Sequence, residues 1–157
     1  MRSLGYALAA AVFVVDQLVK YWVTAVLDLR GRVFPVMPGF DLTWVENTGV
    51  SMSLLHAETA AGRWLLVAAT LAIAAGVAVW IARETNRLDT IALGLVLGGA
   101  LGNIVDRVRF GYVVDFIHVY WRDHHFYVFN VADAAITIGV IVLLLRSVLA
   151  PAAAKPV

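Results

Sequence analysis

The chain has 157 residues, of which 62% are hydrophobic, and its mean hydropathy is +0.85. Soluble globular domains are about half apolar, so this composition excludes that class and indicates an integral membrane protein. Twelve basic and eleven acidic residues leave a net charge of +1, which gives no electrostatic basis for a nucleic-acid partner. Cysteine is absent, which excludes disulfides, thiolate metal sites and a cysteine nucleophile.

The N-terminal segment begins with a basic residue and continues into an apolar run that Asp16 follows. Matches to the A-x-A cleavage pattern lie inside this run, so the segment is predicted to be a retained first span and not a cleaved signal peptide. Four segments reach the roughly 20 residues that a helix needs to cross a bilayer. They are residues 4–27, 64–82, 88–105 and 130–149.

The number of spans determines which connections share a side of the membrane. An even number places both termini on one side, so the two long connections, 28–63 and 106–129, share the opposite side. The short connection 83–87 carries two arginines, and short basic loops stay in the cytoplasm. We therefore expect cytoplasmic termini, a single integral membrane domain over residues 1–150 and a disordered tail over residues 151–157.

The two long connections contain strand patterns. Residues 40–44 alternate apolar and polar side chains, residues 50–54 follow a turn-forming Asn-Thr-Gly, and residues 112–121 are rich in β-branched and aromatic side chains. Residues 57–65 are expected to form a short helix along the interface. The predicted fold class is an all-α membrane protein with four transmembrane helices, a small extracytoplasmic β-sheet and a short interfacial helix.

The stretch 98–133 contains four of the eleven acidic residues, between two apolar segments. Asp106 closes the third span, Asp115 lies in the following loop and Asp133 opens the fourth span, so all three reach the same membrane surface. Charged side chains near the hydrocarbon are costly and usually functional. Small residues in the same stretch are typical of a surface that lets helices approach closely; they are Gly98, Gly99, Ala100 and Gly102.

Asp133 and Asp115 each have a structural interpretation beside the functional one. Asn130 is a natural N-cap, and Asp133, three residues later, would complete a capping arrangement at the start of the fourth span. Asp115 would be an outward-facing strand position under the period-two pattern. Val113 and Ile117 share its face, however, which favours a recessed carboxylate.

Asp106 and Asp16 each have a basic residue nearby in the sequence that could form an ion pair with them. Arg107 follows Asp106 directly, which favours an ion pair at a helix end, and Asn103 lies on the same helical face. We therefore assign Asp106 and Asn103 a supporting role. Asp16 and Lys20 are four residues apart, which predicts an ion pair with Lys20 extending to the interface; the alternative is that Asp16 supports the site.

The sequence offers no metal-ligand spacing. His118, His124 and His125 lie in a polar loop without the spacing of ligands on a helix, so we expect neither a metal nor another cofactor. A serine in a G-x-S-x-G elbow is also absent. What remains is carboxylate chemistry, because two acids that share one proton can activate water and protonate a leaving amine.

Five motifs in order along residues 16–138 resemble those of the bacterial lipoprotein signal peptidase family, also called signal peptidase II. Each motif alone is weak, but the five together are highly specific. They are Asp16-Gln17-Leu18-Val19-Lys20, Glu46-Asn47-Thr48-Gly49, GGALGNIVDR over residues 98–107, Val114-Asp115-Phe116 and Phe129-Asn130-Val131-Ala132-Asp133.

The resemblance implies an aspartyl endopeptidase of the bacterial inner membrane that acts without a cofactor. Its substrate would be a prolipoprotein cut before a cysteine that carries a diacylglyceryl group, with membrane lipid as a partner, and the protein would be a monomer. The catalytic dyad falls on Asp115 and Asp133. The supporting and substrate-binding residues fall on Asp16, Asn47, Asn103, Asp106, Arg107 and Asn130. One departure is Val50-Ser51-Met52, where the family has Ala-Ala-Phe.

The same acidic residues can be compared with the requirements of two other classes of protein. A proton-coupled transporter or channel subunit would string its acids through the depth of the membrane, whereas only Asp16 lies deep here. A structural assembly protein would leave the clustered acids unexplained. Both alternatives therefore fit the acidic residues less well than a peptidase does.

Overall fold

The computed structural model describes residues 1–49 and 59–149. In these residues four helices are long and apolar enough to cross a membrane, which confirms the predicted fold class. Helix α1 continues into a π-helical turn over Trp22–Val26. The helices are α1 (Arg2–Tyr21), α2 (Ala60–Arg83), α3 (Arg87–Arg109) and α4 (Val131–Leu149).

Helix α3 is the most buried of the four and packs against the other three. Its glycines allow this: a Cβ atom added at Gly98 would lie 2.5 Å from the carbonyl oxygen of Ala9 in α1, and one at Gly99 would collide with the backbone of Ala132 in α4. The small-residue surface expected from the sequence is therefore the contact surface of α3.

Four strands form an antiparallel sheet in the order β1, β2, β3, β4. Strands β2 and β3 occur where the sequence predicts strands, and β1 and β4 were not predicted. Cα pairing places Asn47 opposite Val113 and Val45 opposite Asp115. The strands are β1 (Val33–Met37), β2 (Phe40–Asn47), β3 (Val113–Trp121) and β4 (His124–His125).

A small apolar cluster attaches the sheet to the end of α1. Val23 and Leu29 pack against the inward-facing side chains of the sheet, Leu42, Val114 and Phe116. Because these side chains are nearly inaccessible to solvent, the sheet has a defined position over the helical bundle. The start of β3 therefore lies at a defined place beside the end of α3.

Some boundaries differ from those predicted. Helix α3 continues through Asp106 to Arg109, because the Asp106 carboxylate is neutralised within the bundle and its charge does not end the helix. Residues 60–65, expected in an interfacial helix, form the first turns of α2. The expected strand over 50–54, the start of the interfacial helix and the tail 151–157 lie outside the described residues.

Candidate active site

Asp115 lies near the start of β3 with only 1% of its surface exposed. Two amides donate hydrogen bonds to its carboxylate: Asn47 Nδ2 to Oδ2 at 2.8 Å and Asn130 Nδ2 to Oδ1 at 2.6 Å. The strand pairing brings Asn47 into place, since β2 runs beside β3 at this level. The recessed carboxylate expected from the sequence is therefore confirmed.

Burial raises the pKa of Asp115 from 3.8 to about 6. The nearby charge of Asp133 contributes to this raised pKa, and the hydrogen bonds from Asn47 and Asn130 oppose it. Desolvation disfavours the ionised form of an acid, and a neighbouring negative charge acts in the same direction. Asp115 can therefore hold a proton near neutral pH.

Asp133 forms the capping arrangement expected at the start of α4. Its backbone N–H donates to Asn130 Oδ1 at 2.9 Å, and the Asn130 N–H donates back to Asp133 Oδ2 at 3.3 Å. The capping role does not exclude a second one, because Asn103 Nδ2 donates to Asp133 Oδ1 at 2.8 Å and the side chain remains half-buried. The cap holds this carboxylate in a defined orientation.

Asn130 joins the two acids. Its side-chain nitrogen donates to the Asp115 carboxylate and its backbone N–H donates to the Asp133 carboxylate, while its side-chain oxygen accepts from the N–H of Asp133. A short backbone pairing places Asn130 there: the Phe129 N–H donates to the Ile117 carbonyl at 3.0 Å, and the Ile117 N–H donates to the Phe129 carbonyl at 2.8 Å. The segment before α4 is thereby attached to β3.

A buried ion cluster lies behind these acids. Lys20 Nζ is 2.9 Å from Asp16 Oδ2 and 2.8 Å from Asp106 Oδ2, and all three side chains are almost inaccessible to solvent. The ion pair between Asp16 and Lys20 is confirmed. Two predictions are wrong: Asp106 pairs with Lys20 and not with Arg107, and Lys20 does not extend to the interface. The second carboxylate holds Lys20 inside the bundle.

The ion cluster is connected to the candidate dyad through hydrogen bonds. Lys20 Nζ donates to Asn103 Oδ1 at 3.3 Å, which leaves the Asn103 amide nitrogen to donate to Asp133. Asp16 Oδ1 accepts from the N–H of Ala132 at 2.9 Å, next to Asp133. Asp106 Oδ2 accepts a hydrogen bond at 3.1 Å from the backbone N–H of Val114, the residue before Asp115. Asp16 and Asp106 are thus each hydrogen-bonded to the backbone next to an acid of the candidate dyad.

Sequence reasoning missed two members of this cluster as site residues, Lys20 and Gln17. Gln17 Nε2 lies 3.2 Å from both Asp16 Oδ2 and Asp106 Oδ1, so it donates to the same carboxylates as Lys20. The spacing of Asp16 and Lys20 was a visible signal, but their common partner Asp106 is distant in sequence. Only the packing of α1 on α3 brings these side chains together.

Arg107 lies beside the network without joining it. Its Nε atom is buried and has no hydrogen-bond partner among the described residues, and its guanidinium lies within electrostatic range of Asp133, Asp115 and Asp106. A half-buried cation next to the acids is a suitable partner for a carbonyl oxygen or an anionic group of a ligand. The structure therefore leaves a binding role open to Arg107.

Three histidines lie in the distal part of the sheet, His118 in β3 and His124 and His125 in β4. His118 Nε2 is 3.2 Å from His125 Nδ1, and His118 Nδ1 is 4.0 Å from Asp41 Oδ2. Across residues 1–49 and 59–149, no group of three or more potential side-chain ligands has the arrangement of a metal site.

Two cavities adjoin the candidate dyad. The first, which we call the β3–α4 groove, has a volume of about 590 Å³ and is lined by Val119, Phe126, Phe129, Thr137 and Ile138, with Asp133 in its wall. The second, which we call the α2–α4 cleft, has a volume of about 210 Å³ and lies on α3 between α2 and α4. Its lining includes Thr70, Ile73, Val96, Asn103, Arg107 and Ile136.

The profile of the family described as signal peptidase (SPase) II matches residues 8–149. A lipoprotein signal peptidase of Rhizorhabdus wittichii is 55% identical over 150 residues, which cover 94% of this chain and 87% of the relative. One of Sphingopyxis alaskensis is 51% identical, covering 92% of this chain and 85% of the relative. A solved structure described as a bacterial membrane enzyme has a TM-score of 0.80 and 28% identity, covering 98% of this chain and 94% of that one.

Proposed function

The chain belongs to the lipoprotein signal peptidase (signal peptidase II) family, whose members cleave signal peptides from prolipoproteins, and we propose that Asp115 and Asp133 are its catalytic dyad. The observation that carries this proposal is Asn130, whose side-chain amide donates to the Asp115 carboxylate and whose backbone N–H donates to the Asp133 carboxylate. Shared positioning of this kind suits two acids that exchange protons with one reacting group.

In the proposed mechanism the two acids have different roles. Asp133 accepts a proton from a water molecule, whose oxygen attacks the scissile carbonyl carbon, while Asp115 gives its proton to the carbonyl oxygen. The resulting tetrahedral diol collapses as the carbon–nitrogen bond breaks: the amine takes the proton from Asp133, and the diol returns one to Asp115. Asp115 suits the acid role because its pKa is raised to about 6.

The bond cut would be the one before a cysteine that carries a diacylglyceryl group, and the enzyme would act as a monomer in contact with membrane lipid. Asp16, Asn47, Asn103, Asp106 and Asn130 would position the dyad through the hydrogen bonds described above. Arg107, in the wall of the α2–α4 cleft, would contact the substrate. We assign the positioning role to the residues whose side chains bond within the network. We assign substrate contact to Arg107, because its buried Nε has no hydrogen-bond partner among the described residues.

The site would face outward from the bacterial inner membrane, with both termini in the cytoplasm. Arg83 and Arg87 flank the short turn between α2 and α3, at the end of the bundle opposite the dyad. Positive residues in short loops favour the cytoplasmic side. A single membrane domain would then present its acids to precursors that have already been translocated and lipidated.

The test is to replace each acid by asparagine, which keeps the size of the side chain but cannot exchange the proton. We expect Asp115→Asn and Asp133→Asn each to reduce cleavage of a diacylglyceryl precursor by orders of magnitude, and the double variant to be little worse than either, because the pair acts as a unit. A gel shift of the precursor measures cleavage, and thermal unfolding in detergent checks folding. Near-normal cleavage by Asp133→Asn would limit this residue to its capping role.

A further inference from the structure

The β3–α4 groove descends from the candidate dyad toward the hydrocarbon of the membrane. On α4 its lining runs from Asp133 to Ile138, a distance of about 7.5 Å along the helix axis. The opposite wall consists of Val119, Phe126 and Phe129. Apart from Asp133 at the upper end, every lining side chain is uncharged.

The groove is also open on its lipid side. Ile138 is 53% exposed and Phe126 is 62% exposed, so protein does not cover this rim, and Ile138 belongs to a helix that can span the membrane. Unlike the convex outer surfaces of the helices, this surface is concave and ends at a carboxylate of the proposed dyad. A chain lying in it would pass from the reacting atoms into the bilayer without crossing a polar region.

We propose that the β3–α4 groove binds the acyl chains of the diacylglyceryl group on the substrate cysteine, while the signal peptide lies along the α2–α4 cleft. The inference rests on the proposed function, because it requires the scissile bond at Asp133. The thioether sulfur is only a few bonds from the scissile nitrogen, so the lipid must leave the site beside the dyad. The groove provides an apolar exit at that point.

The α2–α4 cleft suits the signal peptide of the substrate better than it suits the acyl chains. Its upper part contains Asn103 and Arg107, and it continues down α3 to Val96 between two transmembrane helices. A signal peptide is an apolar helix whose last carbonyls are unpaired and carry partial negative charge. Arg107 is placed to meet those carbonyls, whereas an acyl chain offers nothing to either polar residue.

The experiment compares synthetic precursors that have the same sequence but carry either octanoyl or palmitoyl chains on the cysteine. Thr137→Trp narrows the groove, Ile73→Trp narrows the cleft, and Leu145→Trp adds the same bulk to α4 at an exposed position outside both cavities. The measured quantity is kcat/KM for each precursor. Because the ratio between precursors is taken within one variant, a general loss of folded enzyme cancels.

We expect Thr137→Trp to lower the palmitoyl-to-octanoyl ratio about tenfold, within the range that overpacking of a filled apolar site produces. Ile73→Trp should lower both rates equally, and Leu145→Trp should change neither. A ratio that Thr137→Trp leaves unchanged, or that Ile73→Trp changes instead, would overturn the assignment. Failure of the unmodified enzyme to cleave either precursor would refute the proposed function itself.

Photo-crosslinking provides a second measurement that does not depend on turnover. A precursor with a diazirine in its acyl chain is bound to Asp115→Asn enzyme, irradiated and mapped by peptide analysis. Crosslinks to Phe126, Phe129 or Ile138 are expected. Crosslinks concentrated on α2 and on the cleft face of α3 would place the lipid in the α2–α4 cleft and refute the proposal.

Discussion

Asn130 takes hydrogen-bond partners from α3, β3 and α4. Its amide nitrogen donates to Asp115 and lies 3.3 Å from Asn103 Oδ1, while its oxygen caps α4. Only an amide can donate to one acid and accept from the backbone of the other, because an aspartate here would repel both. At the scale of single residues, the amides therefore decide how the acids are held.

The two functions of Asn130 can be separated by substitution. Serine keeps an oxygen that caps the helix, but its single, shorter hydroxyl cannot cap the helix and also reach Asp115, so Asn130→Ser should retain stability while kcat/KM falls roughly tenfold or more. Asn130→Ala should also lose the cap, at a cost of about 1 kcal/mol in unfolding free energy. Cleavage assays and thermal unfolding in detergent provide the two readouts. A serine variant with full activity would contradict the proposed link between Asn130 and Asp115.

The raised pKa of Asp115 predicts a pH dependence. If Asp115 must carry the proton, kcat/KM should fall as the pH rises through about 6. Asn47→Leu removes a donor that favours the ionised form, so the pKa should rise and the alkaline limb should move to higher pH. A pH series on both enzymes measures the shift. Movement of the limb to lower pH would be the wrong sign for this assignment.

The same ionisation affects stability. The pKa of Asp115 is higher in the folded protein than its ordinary value of 3.8. The stabilisation that the folded protein gains from protonated Asp115 is therefore fully present below pH 3.8, and it is lost as the pH rises through about 6. Stability and activity should decline together across this range, because both depend on the same proton.

At the scale of secondary-structure elements, the ion cluster joins parts that are distant in the chain. Lys20 is on α1 and Asp106 is on α3, while the N–H groups bound by the two carboxylates belong to α4 and β3. A buried charge without its partner is costly, whereas removal of the whole cluster can be nearly neutral. The cluster therefore contributes to how the four elements meet and to the position of the proposed dyad beside it.

Removal of the cation alone should be damaging. Lys20→Met leaves Asp16 and Asp106 buried without their common partner, which should cost about 3–5 kcal/mol of unfolding free energy. Combining Lys20→Met with Asp16→Asn and Asp106→Asn removes the unpaired charges while an oxygen remains for each backbone donor, so most of this loss should be recovered. Thermal unfolding in detergent tests both variants. A triple variant less stable than Lys20→Met would show that the charges themselves stabilise the contact.

At the scale of the whole molecule, the acids of the site form one cluster at one end of the helical bundle. A transporter would require acids along the membrane depth, and the connected set of Asp16, Asp106, Asp115 and Asp133 has no such path. The proposed hydrolysis at the membrane surface needs only this arrangement, because a substrate anchored in the bilayer would meet the proposed dyad with few orientations to search.

The absence of cysteine makes the orientation directly testable. With both termini in the cytoplasm, Glu84→Cys, between α2 and α3, should be protected from a membrane-impermeant thiol reagent in intact cells. Arg122→Cys, beyond β3, should react. Permeabilised cells provide the control, since both positions should then be labelled. If Glu84→Cys alone were labelled in intact cells, the orientation in the membrane would be the opposite of the one proposed.

The spans, the two central strands and the cap at Asn130 were predictable because each depends on neighbours in the sequence: long apolar runs, period-two alternation and an i to i+3 contact. The edge strand β1 was missed because all five of its residues are exposed and apolar, without alternation. Lys20 was assigned to Asp16 alone for a similar reason, since its second partner is not nearby in the chain.

The sequence by itself predicted that Asp106, Asp115 and Asp133 would reach the same membrane surface, because span parity requires it. It could not determine which cation neutralises Asp106. Arg107 is adjacent in the chain, but on a helix adjacent side chains point in different directions, whereas the glycines of α3 let α1 approach closely enough for Lys20 to reach. Only the tertiary structure decided that pairing, because inside a membrane an ion pair forms where packing brings the charges together.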